Sequence, residues 1–176
     1  MIKTVVVFLA LIGTISALDI GELVKPITLN GANGGKAKDG AKWSSDSLKS
    51  RVSVIFYIDP DEKDANSKFS KLIEEQKFDK KSFIKVAIIN LAATWKPDFV
   101  IEKLLVQKQK ETPHNIYLID KKSFFVKEWS LKDNASDVVI LSKKGKVLFS
   151  KSGAMSQKEI EKALAIVTKA LSRSQI

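Results

Sequence analysis

The sequence contains no cysteine. That absence removes disulfide exchange, thiolate nucleophiles and cysteine-ligated metals from the chemistry open to it. Histidine is almost as scarce, with His114 the single example. One imidazole makes no multi-histidine metal site, and no serine and acid stand with it in the context of a hydrolytic triad. Acidic residues are in deficit, 20 Asp and Glu against 30 Lys and Arg, for a formal charge of +10. Long apolar runs are missing too. The most apolar stretch, residues 4–15, is about a dozen residues, against the roughly 20 that a permanent bilayer span needs.

What is present begins with an unusual amino end. Met1-Ile2-Lys3 opens with a positive charge, residues 4–15 are almost purely apolar, and Ser16-Ala17 supplies small side chains before the chain turns polar at Asp19. That layout is expected of a secretory signal peptide cleaved after Ala17, leaving residues 18–176 as a single domain of charge +9 once Lys3 is lost. The alternative is an uncleaved segment serving as a membrane anchor. An exported chain without cysteine must hold itself together by packing alone. Its positive balance suits an anionic surface or an acidic partner. Nucleic acid is not expected as a partner, because the lysines are scattered rather than gathered among aromatics and export argues against it.

Along the rest of the chain, residues 18–29 read as a short first strand around Val24 and Ile27-Thr28-Leu29. Residues 30–42 carry Gly31, Gly34, Gly35 and Gly40 among lysines and read as a mobile surface loop. Their spacing fits neither a Walker loop nor a dinucleotide fingerprint. Residues 52–59 are nearly continuous in β-branched and aromatic side chains, as in a central strand covered on both faces. Ala65, Phe69, Leu72 and Ile73 then recur at helical spacing, and residues 83–90 form a second buried strand. Pro97 opens a helix with Ile101, Leu104 and Leu105 on its inner face. Residues 115–120 and 124–130 read as two short strands. Residues 137–142 and 146–150 make a hairpin about Lys143-Lys144-Gly145. Ser156 and Glu159 form a capping box for a last helix that buries Ile160, Ala163, Leu164, Val167 and Leu171.

This order gives an α/β fold, a mixed sheet flanked by helices with a C-terminal β-hairpin and a closing helix. It is similar to the thioredoxin-like fold. More narrowly, the chain resembles the YtfJ family of exported bacterial proteins through Trp129-Ser130-Leu131, Asp137-Val138-Val139-Ile140-Leu141, Lys144-Gly145-Lys146-Val147 and residues 153–159. The resemblance implies fold and compartment and no mechanism. In redox-active relatives of this fold a Cys-x-x-Cys stands where the first long strand meets its helix, opposite a cis-proline. Here that corner reads Asp59-Pro60-Asp61-Glu62-Lys63-Asp64, and the proline position falls near Ala135-Ser136. Dithiol chemistry is therefore excluded.

The acidic corner has an ordinary reading, complementing the start of the following helix, and its spacing lacks the glycine and terminal glutamate of an EF-hand loop. Ser82-x-x-Lys85 matches a catalytic pattern that needs a helix to join the two side chains, and it lies on a strand. Of Trp43, Trp95 and Trp129, Trp95 is placed best for contact, in a loop before a helix. Asp59, Asp61, Asp64, Trp95 and Lys96 together form the candidate binding surface, at the sheet edge where open α/β folds take ligands. The expected partner is an envelope protein or a small ligand; no cofactor and no metal are expected. The other readings are a non-thiol enzyme working through carboxylates and adhesion to an envelope surface by charge alone.

Overall fold

The computed structural model describes residues 18–172; the signal-peptide expectation for residues 1–17 lies outside them. Two pieces of sheet are present. Thr28–Leu29 (β1) and Trp43–Ser44 (β3) form a small antiparallel ribbon. The main sheet has six strands among the described residues, in the order β2-β6-β5-β4-β7-β8. These are Gly34–Lys36 (β2), Val52–Ile58 (β4), Phe83–Asn90 (β5), Ile116–Asp120 (β6), Ser136–Leu141 (β7) and Val147–Lys151 (β8). Strands β4, β5 and β6 run parallel, while β2, β7 and β8 pair antiparallel with their neighbours. The fold is thus the expected mixed sheet, with β4 at its centre.

Alternation along β4 sets the two layers. Ile55 and Tyr57 face Trp43, Phe125 and Trp129, whereas Val54 and Phe56 face Phe69, Ile73, Ile160, Ala163 and Val167. Helices α1 (Ser67–Glu75) and α4 (Gln157–Ser172) supply that second set. Helix α2 (Asp98–Glu111) adds Ile101 and Leu105 against Ala87, Ile89, Tyr117 and Ile119. The capping box at α4 is made in both directions. The Glu159 N–H donates to Ser156 Oγ at 3.3 Å, and Glu159 Oε2 accepts the Ser156 N–H at 2.8 Å.

Three expectations need correction. Residues 124–130 are not a strand, since Phe124–Trp129 form a helix, α3. Phe125 and Trp129, one helical turn apart, are the buried pair, with rings 4.9 Å apart edge to face, and Asp120 Oδ2 accepts the Phe125 N–H at the helix start (3.0 Å). The short apolar run resembled a strand, but its two deepest side chains obey a helical period. The glycine-rich segment is not merely a surface loop: it contains β2, whose Gly34 and Gly35 are buried against β6. Gly34 has φ +123, and a Cβ there would stand 1.9 Å from the Ile119 carbonyl oxygen, so only glycine lets the two backbones approach this closely. Finally, Leu104 is exposed rather than part of the inner face of α2.

The amino end of the domain straps across β8. The Gly21 N–H donates to the Val147 carbonyl (2.8 Å), the Val147 N–H to Glu22 (2.9 Å) and the Val24 N–H to Gly145 (3.2 Å). Trp129 Nε1 donates to the Lys25 carbonyl at 2.7 Å, fixing the same segment to α3.

Candidate functional site

The carboxyl ends of β4, β5 and β6 meet the loop that leads into β7, and this edge gathers most of the residues singled out from the sequence. At the end of β4, Asp59 is buried; its Oδ1 accepts the Asp61 N–H at 2.8 Å, and its own N–H donates to the Ala135 carbonyl at 3.1 Å. Asp59 thus holds its own turn, as Asp side chains do. It also ties the corner to residue 135, where the sequence placed the missing proline.

The acidic residues do not cap α1. That helix begins only at Ser67, with no acidic residue in its first turn and no side-chain capping bond from Asn66. Residues 59–67 instead run through successive turns, Glu62 N–H to Asp59, Ala65 N–H to Glu62 and Ser67 N–H to Asp64. Asn66 is the buried knot of this region. Its Nδ2 donates to the carbonyls of Ser136 (2.9 Å) and Gly153 (3.1 Å), and its Oδ1 accepts the Met155 N–H (3.0 Å). Ser136 Oγ donates to the Glu62 carbonyl at 2.7 Å. Where redox relatives of the fold face a dithiol with a proline, this chain has a hydrogen-bonded clasp.

On the outside of that clasp the structure joins Asp61 to the loop after β5. Lys96 pairs with Asp61 Oδ1, and Thr94 Oγ1 donates to Asp61 Oδ2 at 3.0 Å. The Lys96 ammonium, and then the Thr94 hydroxyl, hold the Asp61 carboxyl below its ordinary range. Trp95, between those two partners, is 85% exposed. Asp61, Trp95 and Lys96 therefore form one surface with Asp59 beneath it. Asp64 stands exposed at the far end of the turn and contributes only its carbonyl. A depression of about 190 Å³ beside the clasp is lined by Ile58, Lys63, Asn66, Ser67, Lys71 and Ser136.

Under the same edge lies a polar layer that the sequence reading did not identify. Tyr57 donates its hydroxyl to Asp120 Oδ2 at 3.1 Å, and Asp120 also accepts the N–H groups of Phe125 (3.0 Å) and Lys122 (3.1 Å). Asn90 Nδ2 donates to Asp133 at 2.9 Å, and Asn90 Oδ1 accepts from Ser123 Oγ at 3.1 Å. Asp137 is 1% exposed; its Oδ2 accepts the Lys132 N–H at 2.7 Å, while Oδ1 makes no hydrogen bond. Burial pushes the Asp137 carboxyl above its ordinary range, a shift moderated by the Lys132 N–H and by Ser152 and Gly153 nearby. Burial, and then Asp120, push the Tyr57 phenol far above its ordinary range, so it acts as a fixed donor. The signal for this layer was a polar residue ending each apolar run, Asn90 on β5 and Asp120 on β6, with Asp137 opening β7.

The remaining candidates fall elsewhere. His114 is exposed at the opposite, amino-terminal edge of the parallel strands, lining a cleft of about 290 Å³. Ser82 and Lys85 do not meet: Ser82 Oγ bonds Asp79, whereas Lys85 is buried against Glu74 and Ser70 of α1. Trp43 and Trp129 are core. Among the described residues, no group of three or more His, Cys, Asp or Glu side chains is placed to hold a metal ion. No helix among them is long and apolar enough to cross a membrane.

Comparison with known proteins agrees with this architecture. Residues 14–170 match the family described as "Bacterial protein of unknown function (YtfJ_HI0045)". An uncharacterized protein of Haemophilus influenzae is 27% identical over 128 residues, 71% of this chain and 70% of that one. The uncharacterized protein YtfJ of Escherichia coli K12 is 24% identical over 132 residues, 73% of this chain and 72% of that one. Among solved structures, the thioredoxin domain of a thiol-disulfide oxidoreductase from Bacteroides vulgatus superposes with a TM-score of 0.58 at 10% identity, covering 84% of this chain and 96% of that chain. At that identity the likeness concerns the fold alone.

Proposed function

Starting from the YtfJ family, to which this chain belongs, we propose that the protein is an exported, periplasmic binding module. In this reading the thioredoxin-like scaffold is kept and its redox chemistry is lost. The signal layout of residues 1–17 supports export, and the absence of cysteine excludes dithiol exchange. One observation carries the docking role. Trp95 is 85% exposed yet held in place on both sides, by Thr94 and Lys96 bonding the same Asp61. An exposed tryptophan on a fixed loop offers a partner large contact area at little ordering cost.

The competing reading, a carboxylate enzyme, needs two carboxylates facing one cleft. Asp120 and Asp137 are almost completely buried, and Asp61 is spent on Lys96. The docking reading is therefore preferred.

Its test is photo-cross-linking in intact cells, with a benzophenone side chain in place of Trp95 and, as control, in place of Lys158 on α4. Adducts are resolved by mass spectrometry for protein and lipid alike, and the same spectra report whether the amino terminus is Leu18. A discrete adduct from position 95 and not from position 158 is expected. Equal adducts from both positions, or none from either, would overturn the docking role.

A further inference from the structure

Helix α2 is apolar on two sides. Its inner side is satisfied by Ile101 and Leu105 in the core. A second apolar set faces solvent: Phe99 is 71% exposed, Leu104 57% and Val100 41%, with Trp95 just ahead of the helix. At 100° per residue, Val100 lies on one flank of the outer half, with Leu104 beside it at the border of the inner side, and Phe99 lies on the other flank. Lys103 and Lys110 fall between these flanks, at the crest farthest from Ile101 and Leu105.

Charge is sorted in the same way. Glu102 turns toward the body of the protein and pairs with Lys121 at 2.9 Å; Asp98 acts on the same lysine. Glu111 is occupied by Lys108 at 2.8 Å. Lys103 and Lys110 have no ion-pair partner among the described residues. The outer half of the helix thus presents apolar side chains flanking free lysines, on a chain whose net charge is +10.

An exposed Trp and Phe beside unpaired lysines is the composition of an amphipathic element lying in a bilayer interface. The rings enter the headgroup boundary, and the lysine stems run up to anionic phosphates. The unpaired lysines at the crest complement an anionic surface, and the apolar side chains on either side of them suit its headgroup boundary. We propose that Trp95 and the outer face of α2 dock on an anionic phospholipid bilayer. The proposal rests on the docking reading and names its partner.

The test uses the whole chain and vesicles of phosphatidylcholine with or without an equal part of phosphatidylglycerol. Sedimentation with the phosphatidylglycerol vesicles alone is expected, with a blue shift in tryptophan emission. Since Trp43 and Trp129 are buried and Trp95 is exposed, that shift comes from Trp95. Trp95→Phe is expected to abolish it while leaving sedimentation in place. Phe99→Ser is expected to weaken binding about tenfold, the loss of one inserted ring. Lys103→Gln is expected to weaken it about fivefold, one lysine at an anionic surface. All variants keep the same amino-terminal segment, so differences among them belong to α2, and all are at exposed positions. Three outcomes would overturn the proposal: no binding; binding indifferent to Phe99→Ser; or protein-only adducts from position 95 in cells without vesicle binding. The last would leave the docking reading standing.

Discussion

Tyr57→Phe isolates one bond in the buried polar layer. The substitution removes a single oxygen and leaves the ring, so no cavity opens beside Phe125, whose ring centroid is 5.7 Å away. What is lost is the hydroxyl's donation to Asp120 Oδ2 at 3.1 Å. A buried hydrogen bond to a charged group contributes about 1.5–3 kcal/mol. Asp120 keeps the N–H groups of Phe125 and Lys122, so it is not orphaned and the loss belongs at the low end, about 1.5–2 kcal/mol. For a domain of this size that is a fall in Tm of roughly 3–8 °C. Urea unfolding of both proteins should show a lower midpoint with unchanged slope, as expected when the folded and unfolded surfaces are the same. In a cycle with Asp120→Asn the two changes should couple by at least about 1 kcal/mol. A Tyr57→Phe loss below about 0.5 kcal/mol, the scale of an indifferent surface change, would refute the view that this bond helps hold the sheet edge.

Three further substitutions probe the same edge and the glycine-rich segment that holds the first strand of the main sheet. Asp137→Asn keeps an acceptor for the Lys132 N–H and removes a charge that burial disfavours. Because the folded-state carboxyl is shifted upward, its stability contribution is present below the unfolded value of 3.8 and is lost as pH rises through the folded one. The variant should therefore be the more stable protein at neutral pH, with the gain shrinking toward zero below that value; a gain independent of pH would contradict this. Gly34→Ala drives a Cβ into the Ile119 carbonyl and should cost at least about 2 kcal/mol, with loss of amide-exchange protection where β2 pairs β6. Gly31→Ala, at φ +53 in open space, should cost only about 1 kcal/mol of backbone strain.

The parts of this fold that were legible in the sequence are those where a single period rules a long segment. β4 and β5 announce themselves as nearly continuous apolar runs, and α4 by its capping box and apolar stripe. The parts that were not legible are set by partners distant in sequence. Phe124–Trp129 becomes helical because Asp120 accepts at its start and Phe125 and Trp129 both find the core. Gly34 and Gly35 become a strand because Gly34 meets β6, and Gly35 the carbonyls of Gly40 and Ala41, at distances that favour glycine. The same division runs through the site. Asp61, Trp95 and Lys96 could be picked out as polar or aromatic residues at strand ends. Asn66 and Tyr57 could not, because each matters through a partner outside its own segment.

The amino-terminal strap places a condition on the order in which the chain can fold. Its partners on β8 come near the end of the sequence, and its bond to Trp129 spans 104 residues. Closing contacts of that separation is slow, since loop entropy is lost before any packing is gained. The first residues of the domain to be synthesised are thus among the last to be fixed. Until α3 and the hairpin of β7 and β8 exist, residues 21–25 lack the partners that hold them. A ribosome that still holds the carboxyl end therefore holds an unfinished domain.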